Sequence, residues 1–285
     1  MDVTSLRLAH VVCTDAFAGV ERYVLSSALC LAAAGCTVTV VGGAEKPMRE
    51  LLAVHDIRWL PGRTVGEAIR SLRTLGGLDV INTHMTAADL AGVLGRRQRV
   101  PVVSTRHFAS TRGSTLISRW VARAIARRVA AQIAISEFVA QSVEGPNRVV
   151  YTGVETVEDS ATERESIVLV AQRLEAEKRT DVALRAWSLV EDRGDWRLQI
   201  AGAGAQLSQL VRLAAELDIS HSVDFLGFQS DVAALYARAS IFLAPTPREG
   251  LGLSVIEAMS HAVPVVAAGG GGHLESVGPV RGSAL

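Results

Sequence analysis

The sequence predicts an α/β protein with two domains, each built around a mostly parallel β-sheet. Short runs rich in Val and Ile alternate with longer segments of helical period, which is typical of repeated strand-helix units. The pattern occurs twice, on either side of a polar, acidic stretch at residues 155–165. A chain of 285 residues, 49% hydrophobic and 20% charged, is sufficient for two buried cores. We therefore expect one domain at residues 1–158 and a second at residues 166–285.

The first domain is predicted to hold short strands joined by helices. Runs rich in Val and Ile indicate the strands, at residues 6–13, 37–42, 80–83, 100–105, 132–135 and 149–150. Helices are predicted between these strands, for example at residues 20–34.

The second domain repeats this alternation. Its strands are predicted at residues 167–171, 197–201, 223–226, 241–244 and 264–267. Its helices are predicted at residues 181–190, 206–217, 232–239 and 254–261. The last nine residues, VGPVRGSAL, look like the approach to a sixth strand, so we expect this domain to be incomplete at its C-terminal end.

Charge and cysteine patterns exclude several kinds of partner and site. Lys plus Arg and Asp plus Glu are equal at 29 each, so no net charge favours nucleic acid as a partner. Cys13, Cys30 and Cys36 lie in apolar stretches without metal-ligand spacing, as expected of core cysteines in a reducing compartment. No leader-like segment and no apolar run of roughly 18 residues is visible, so the cytoplasm is the expected location. We expect neither a metal site nor a cofactor.

The most specific candidate site is PTPREGLGLSVIEAMSHAVPVVA, residues 245–267, because parallel sheets bind ligands just beyond the carboxyl ends of their strands. Its loop Gly250-Leu251-Gly252 leads into a helix that begins at Leu253, and the first backbone N–H groups of such a helix suit a diphosphate. Glu249 precedes the helix and Glu257 lies about two turns on, so the two carboxylates serve different parts of one long ligand. A single glutamate would more often be solvated, but the loop, helix start and following strand together favour a ligand site.

This segment resembles the Glu-x7-Glu signature of the retaining glycosyltransferases of family 4, which have the GT-B fold of two Rossmann-like domains. The resemblance implies transfer of a sugar from a nucleoside-diphosphate-sugar to an acceptor hydroxyl, with retention of configuration and without a metal ion. It implies that Glu257 holds the donor ribose and Glu249 the donor sugar. Leu251 departs from the family in standing where an aromatic is common, and Ala262 stands where glycine is common. If residue 262 needs a left-handed backbone, alanine costs about 1 kcal/mol of stability.

A second segment, LVAQRLEAEKRTDVALRAW at residues 169–187, places Arg173 and Lys178 after a predicted strand. They precede a helix that we expect Asp181 to cap, a placement that suits a diphosphate leaving group. Cations on a loop are usually solvated when taken alone. The segment is similar to the family's Gly-Arg-Leu…Glu-Lys-Gly string, with Gln172 and Arg179 in place of the two glycines, and this favours phosphate binding.

The first domain supplies weaker candidates. Gly19 in TDAFAGV matches one of two adjacent family glycines, so a ligand contact and a plain turn are equally supported. His107 in VVSTRHFAS resembles the family histidine that faces the donor sugar, and with Glu249 it is our catalytic candidate. His84 in DVINTHMTAAD matches a second family histidine less closely, and a structural role is favoured for it.

Residues 90–136 form a basic segment without Asp or Glu. Its arginines are Arg96, Arg97, Arg99, Arg106, Arg112, Arg119, Arg123, Arg127 and Arg128. Arg119, Arg123 and Arg127 recur one helical turn apart beside Trp120. A solvated helix face is the commoner explanation of such a pattern, and peripheral contact of the Arg96–Arg128 region with an anionic membrane is the alternative. The acceptor hydroxyl stays open between a lipid-linked and a polysaccharide acceptor, because the variable crevice of the first domain sets it.

Three other functions stay open as alternatives. A nucleotide-sugar epimerase would need acid and base carboxylates that the sequence does not reveal. A catalytically impaired fragment or a nucleotide-sugar-binding protein would keep the fold and the donor site. A Rossmann dehydrogenase is poorly supported, because no GxGxxG follows the first strand.

Overall fold

The computed structural model of the chain describes residues 5–97, 100–110, 116–154, 157, 163–229, 231–280 and 284–285, with their side chains except those of 116–119 and 121. The chain divides into two compact units, Met1–Thr152 and Gly153–Leu285. Each unit holds one sheet in which all paired strands are parallel, with helices between the strands. The predicted α/β class with mostly parallel sheets is confirmed. Most of the predicted linker at residues 155–165 lies outside the described residues.

In the first unit the described strands are β1 (Arg7–Val12), β2 (Thr37–Gly42), β3 (Arg58–Leu60), β4 (Val80–His84), β5 (Val102–Arg106), β6 (Ala131–Ala134) and β7 (Arg148–Val149). The helices are α1 (Gly19–Ala33), α2 (Glu45–Ala53), α3 (Val65–Thr74), α4 (Met85–Gly95), α5 (Leu116–Ala126) and α6 (Glu137–Ala140). The sheet order is β3-β2-β1-β4-β5-β6-β7. Strand β3 was not predicted from the sequence, because a three-residue strand is too short to show a pattern.

In the second unit the described strands are β8 (Glu165–Ala171), β9 (Arg197–Ala201), β10 (Val223–Gly227), β11 (Ala239–Ala244) and β12 (Val265–Ala267). The helices are α7 (Thr180–Ser188), α8 (Leu207–Glu216), α9 (Ala233–Arg238), α10 (Leu253–Ser260) and α11 (His273–Ser276). The sheet order is β10-β9-β8-β11-β12, so the predicted strands of this unit are confirmed. Beside β12, Ala284 forms an isolated parallel bridge with Val266.

The central strand β8 is buried on both of its faces. Ile167 and Leu169 belong to one apolar cluster of the core, whereas Val168 and Val170 belong to another. Successive side chains of a strand point to opposite faces, so the two clusters lie on opposite sides of the sheet. This double burial explains why the sequence reads as a continuous apolar run and not as an alternation.

The core of the first unit includes three histidines, His10 in β1, His84 at the end of β4 and His107 directly after β5. Burial lowers the pKa of His10 to about 4, and the Asn82 side chain offsets this only in part. Burial, with the neighbouring Arg106, lowers the pKa of His107 to about 3. Burial lowers the pKa of His84 as well, and a proton on either flanking histidine would lower it further by repulsion. All three imidazoles are therefore neutral at pH 7.

Helix α10 ends in a Schellman motif in which Ala262 has a left-handed backbone, with φ of 56°. The Ala262 N–H donates to the Met259 carbonyl at 2.9 Å, and the Val263 N–H donates to the Ala258 carbonyl at 3.0 Å. Residue 262 therefore has the left-handed backbone that makes alanine less stable than glycine at this position. Glycine adopts this conformation without the steric penalty that alanine carries.

We expect Ala262→Gly to raise the unfolding free energy by about 0.5–1 kcal/mol, because relief of left-handed strain outweighs the added entropy of the unfolded chain. Urea unfolding followed by circular dichroism measures the change. Ala186→Gly, at an exposed position within α7, is the matched control and should lower the unfolding free energy by about 1 kcal/mol. A destabilised Ala262→Gly variant would contradict this interpretation.

We expect the first unit to lose stability as the pH falls from 8 to 5. Histidine in the unfolded chain binds a proton near pH 6.5, whereas folded His10 and His107 do so only near pH 4 and 3, so acid favours the unfolded state. The stabilisation that comes from these neutral histidines is fully present above pH 6.5. By pH 5, His10 and His107 each lower the free energy of unfolding by about 2 kcal/mol. Urea midpoints at several pH values measure this loss. His107→Gln should flatten the slope and exposed His55→Gln should not; a pH-independent midpoint in the unmodified chain would rule out the buried neutral histidines.

Candidate functional site

The main candidate site lies at the point where the second sheet reverses its winding. Strand β8 lies next to β11, and the chain continues from β8 to β9 on one side and from β11 to β12 on the other. Such a switch point opens a crevice beyond the carboxyl ends of the two strands. Lys178 lies on the loop after β8 and Glu249 on the loop after β11, and Lys178 Nζ is 2.5 Å from Glu249 Oε2. The fold thus brings two predicted site residues together.

The pair is partly withdrawn from solvent, with side-chain exposures of 18% for Lys178 and 23% for Glu249. Burial by itself would raise the pKa of Glu249, but the charge and hydrogen bond of Lys178 outweigh it, and the pKa is lowered. The Gly250 N–H, 3.3 Å from Glu249 Oε1, acts in the same direction. Glu249 is therefore a carboxylate at neutral pH, held in place by a cation and a backbone donor.

A side-chain amide fixes the loop that carries Lys178. Gln172 Nε2 donates to the Lys178 carbonyl and to Thr180 Oγ1, both at 2.9 Å. Gln172 Oε1 accepts from Thr246 Oγ1 at 3.0 Å, and Thr246 lies on the loop after β11. Gln172 therefore links both loops of the site, a role that the sequence did not reveal, since there it is notable only for replacing a glycine.

The N-terminus of α10 is packed against a run of glycines that was not predicted as part of the site. Gly252 caps α10 with φ of 87°, and a Cβ there would lie 2.9 Å from His273 Cδ2. A Cβ on Gly272 would lie 2.3 Å from the Gly250 carbonyl oxygen, and the Gly272 N–H donates to the Glu249 carbonyl at 2.9 Å. The run Gly269–Gly272 follows β12, so the rule that selects residues after strands could have identified it.

The other predicted site residues of the second unit differ in burial and in their partners. Glu257 is half-buried in α10 and accepts a hydrogen bond from the Tyr236 hydroxyl at 3.1 Å. Leu251 is only 3% exposed, so it packs in the core, whereas Leu253 begins α10 and is half-buried. Arg173 is exposed and pairs with Glu177 at 3.0 Å, so the structure does not join it to the Lys178–Glu249 contact.

The prediction that Asp181 caps α7 is wrong. Helix α7 begins at Thr180, and its N-cap is Arg179, whose φ of 53° is left-handed. Arg179 ends a 3-10 turn over Ala176–Lys178, so the helix starts one residue earlier than expected. Asp181 lies in the first turn instead, with Oδ1 3.0 Å from Arg179 Nε.

In the first unit, the loop after β1 is held by a buried carboxylate. Glu21 accepts from Thr14 Oγ1 at 2.6 Å and from the Ala18 N–H at 2.9 Å. Gly19 is the first residue of α1, and a Cβ there would meet no atom of the described residues within 4 Å. Packing within the chain therefore does not require a glycine at this position.

Histidines lie at the ends of the neighbouring strands β4 and β5. His84 Nδ1 is 3.0 Å from His107 Nε2, and His84 Nε2 is 3.0 Å from His10 Nδ1. The Tyr23 ring meets the ring of His107 edge-on, with centroids 4.8 Å apart. The structure therefore joins the catalytic candidate His107 to His84 and to His10, a residue that the sequence did not single out because it lies within an apolar run.

Only some of the arginines in the basic segment lie on the surface. Arg106 is buried and donates to the Ser110 carbonyl at 2.8 Å, so its inclusion among the surface arginines is wrong. Trp120 in α5 is 72% exposed, and Arg123 is exposed on the same helix. Arg99, Arg112 and the side chain of Arg119 lie outside the described residues.

No described helix is long and apolar enough to cross a membrane. Within the same ranges, no group of three or more His, Cys, Asp or Glu side chains is arranged to hold a metal ion.

Family models match adjacent stretches of the sequence. Residues 17–158 match the model described as Glycosyltransferase Family 4, and residues 155–281 match the model described as Glycosyl transferases group 1.

Curated relatives align with parts of the chain. The GDP-mannose-dependent alpha-(1-6)-phosphatidylinositol dimannoside mannosyltransferase of Mycobacterium tuberculosis (strain CDC 1551 / Oshkosh) is 39% identical over 37% of this chain and 28% of that protein. The D-inositol 3-phosphate glycosyltransferase of Mycobacterium sp. (strain JLS) is 30% identical over 69% of this chain and 53% of that protein. The chain thus spans about half or less of the length of these relatives.

Solved structures share the fold at low sequence identity. Anabaena Alr3699/HepE in complex with UDP and glucose has a TM-score of 0.77 and 18% identity, covering 95% of this chain and 82% of its own. Sucrose-phosphate synthase from Thermosynechococcus elongatus has a TM-score of 0.74 and 19% identity, covering 95% and 83%. The two glycosyltransferase family models together match residues 17–281, and with the shared architecture they support a family 4-like protein of the GT-B fold.

Proposed function

We propose that the chain transfers a sugar from a nucleoside-diphosphate-sugar to an acceptor hydroxyl, with retention of anomeric configuration and without a metal ion. The observation that carries this proposal is the contact of Lys178 with Glu249 at the switch point, beside the start of α10. A cation and a helix N-terminus suit a diphosphate, and an adjacent carboxylate suits sugar hydroxyls.

In this proposal the diphosphate competes with Glu249 for Lys178. The bound phosphate oxygens take hydrogen bonds from Lys178 and from the first N–H groups of α10, and Glu249 turns to the sugar hydroxyls. Arg173, now paired with the exposed Glu177, exchanges that weak surface pair for phosphate. These cations stabilise the charge of the leaving diphosphate, which is the work a metal ion does in other transferases.

The other donor contacts are assigned by residue. Glu257 accepts the ribose hydroxyls, and the hydrogen bond from Tyr236 supports this role because it orients the carboxylate. Gly250, Leu251, Gly252 and Leu253 form the turn over which the donor lies. From the first unit, we propose His107 as a catalytic residue and Gly19 as a substrate-binding residue.

Calorimetric titration of the whole chain with UDP-, GDP- and ADP-sugars tests the proposal and identifies the nucleotide. HepE has been solved with UDP, and the mycobacterial mannosyltransferase is named for GDP-mannose, so both nucleotides belong in the first series. Saturable binding of one sugar nucleotide, followed by sugar transfer to an added acceptor, is expected. Conversion of the donor into a stereoisomer would indicate an epimerase, and binding without turnover would indicate a binding protein.

Alanine substitutions of Glu257 and Glu249 should have different effects on donor binding and turnover. Glu257→Ala should weaken donor binding about 10- to 100-fold, because a ribose contact is equally strong in the ground and transition states. Glu249→Ala should mainly lower turnover, because contacts to the sugar position the reacting carbon. Donor Kd by calorimetry and kcat by product formation separate the two effects, with exposed Glu216→Ala as the control. Equal loss of affinity in both variants would refute this division of roles.

Lys178→Ala should weaken binding of the nucleoside diphosphate about 10- to 100-fold, the worth of a charge-assisted hydrogen bond, and Arg173→Ala should weaken it by less because Arg173 is exposed. The chain contains only two lysines, so exposed Lys46→Ala is a matched control for loss of the same charge. Calorimetry with UDP and GDP measures the change. If Lys178→Ala leaves the Kd of the nucleoside diphosphate unchanged, Lys178 does not bind phosphate and its role is structural.

We also propose that the acceptor is bound to a membrane that the first unit contacts through α5. Trp120 and Arg123, both exposed on this helix, support this proposal. We expect the chain to sediment with phosphatidylglycerol vesicles and not with phosphatidylcholine vesicles. Trp120→Ala with Arg123→Gln should weaken vesicle binding several-fold, at about 1 kcal/mol per basic residue. A control with Arg185→Gln and Arg212→Gln removes exposed charges of the second unit. If the chain sediments with neither kind of vesicle, the exposed face of α5 is solvated and does not bind membranes.

A further inference from the structure

The turn that carries Lys178 includes a residue whose side chain disfavours its backbone conformation. Arg179 has φ of 53° and ψ of 38°, which lies in the left-handed region. It stands between the 3-10 turn Ala176–Lys178 and Thr180, the first residue of α7. A residue with a Cβ carries a steric penalty in this conformation and keeps it only where the surrounding structure fixes it.

The side chain of Arg179 does not fix its own backbone. Its guanidinium is exposed and pairs with Asp181, with Nε 3.0 Å from Oδ1. Exposed ion pairs of this kind stabilise a structure little. Arg179 also makes no side-chain hydrogen bond that caps α7. The left-handed turn must therefore be held by groups outside it.

Gln172 binds the chain on both sides of Arg179. Its Nε2 donates to the Lys178 carbonyl and to Thr180 Oγ1, both at 2.9 Å. A carbonyl oxygen can only accept, so the amide must present its NH2 group, and not its oxygen, to Lys178. The two N–H groups thus reach the residue before Arg179 and the residue after it, and they fix both ends of the turn.

Gln172 is itself a firmly held anchor. Its backbone N–H donates to the Ala201 carbonyl at 3.0 Å, which joins the loop after β8 to the end of β9. Its Oε1 accepts from the hydroxyl of buried Thr246 at 3.0 Å. Both N–H groups and the oxygen of the amide are therefore bonded. A fully satisfied side-chain network of this kind is rigid, so it transmits the position of the sheet to the turn.

Lys178 is the residue that this arrangement places. Its carbonyl is bonded to Gln172, and its Nζ lies 2.5 Å from Glu249 Oε2. A lysine side chain is long and flexible, so the place and direction of its backbone decide where its ammonium can reach. We propose that Gln172 is a positioning residue that holds the left-handed turn at Arg179 and thereby places Lys178 for the diphosphate. This inference rests on the proposed function, in which Lys178 binds the diphosphate.

The proposal makes Gln172 and Arg179 energetically coupled. Glycine adopts the left-handed conformation without the steric penalty, so a chain with Arg179→Gly depends less on Gln172. Arg179→Gln is the matched control, because it removes the same charge but keeps the Cβ and the penalty. Gln172→Met removes the amide and keeps the length of the side chain.

Calorimetric titration with UDP and GDP measures this coupling as a double-mutant cycle. Gln172→Met should raise the Kd of the nucleoside diphosphate about 10-fold, the worth of the lost hydrogen bonds. In the Arg179→Gly background the same substitution should raise the Kd by less than about 3-fold, and in the Arg179→Gln background by about 10-fold again. An equal effect in all three backgrounds, or no effect in any, would overturn the proposal.

Hydrogen exchange of the free chain tests the same coupling without any nucleotide. Gln172→Met should speed exchange in peptides that cover residues 176–182, and added Arg179→Gly should restore most of the protection. Exchange unaltered by Gln172→Met would overturn the positioning role. If Gln172→Met does not fold, we expect Arg179→Gly and not Arg179→Gln to recover folding, and no recovery would overturn the proposal. Failure of the proposed function would appear separately, as absence of nucleotide binding by the unmodified chain with this exchange pattern intact.

Discussion

The contact between Lys178 and Glu249 is the interaction on which the candidate donor site depends. The two residues are 71 positions apart in sequence and belong to loops that leave neighbouring strands on opposite sides of the switch point. Each of them alone would be a partly buried charge, which is costly, and together they neutralise each other. The hydrogen bond between Thr246 and Gln172 joins the same two loops a second time. Lys178, the cation that we propose binds phosphate, is therefore held in place by the fold itself, which is the form of preorganisation that electrostatic catalysis needs.

Close approach of backbones shapes the rest of this edge of the second sheet. A Cβ on Gly202 would lie 1.8 Å from the Gln172 carbonyl oxygen, and one on Gly204 would lie 2.4 Å from the Leu174 carbonyl oxygen. The loops after β8 and β9 therefore touch through their main chains. Arg179 and Ala262 take left-handed conformations that glycine would adopt without strain. The chain thus tolerates side chains at two strained turns but keeps glycine where another backbone is adjacent.

Local patterns in the sequence were sufficient for most of the fold and for part of the site. The Val- and Ile-rich runs identify the strands because strands buried on both faces need apolar residues throughout, as in β8. The segment from Glu249 to Glu257 could be recognised because its loop, helix and carboxylates are contiguous. Contacts between distant loops could not be predicted in this way, and the pairing of Lys178 with Glu249 is one of them. The capping role assigned to Asp181 failed because the left-handed Arg179 is a property of the folded turn. His10 was overlooked because one polar residue within an apolar strand gives no signal of its partners.

The most direct test of where the second unit binds its ligand is hydrogen exchange of the whole chain, followed by mass spectrometry, with and without UDP, GDP or ADP. Backbone amides that become hydrogen-bonded or lose local opening on binding exchange more slowly. If the switch point between β8 and β11 binds the diphosphate, exchange should slow in peptides that cover residues 172–180 and 247–257 for at least one nucleotide. Unchanged exchange in both segments, with slowing confined to other parts of the chain, would contradict the placement of the donor site beside Lys178 and Glu249.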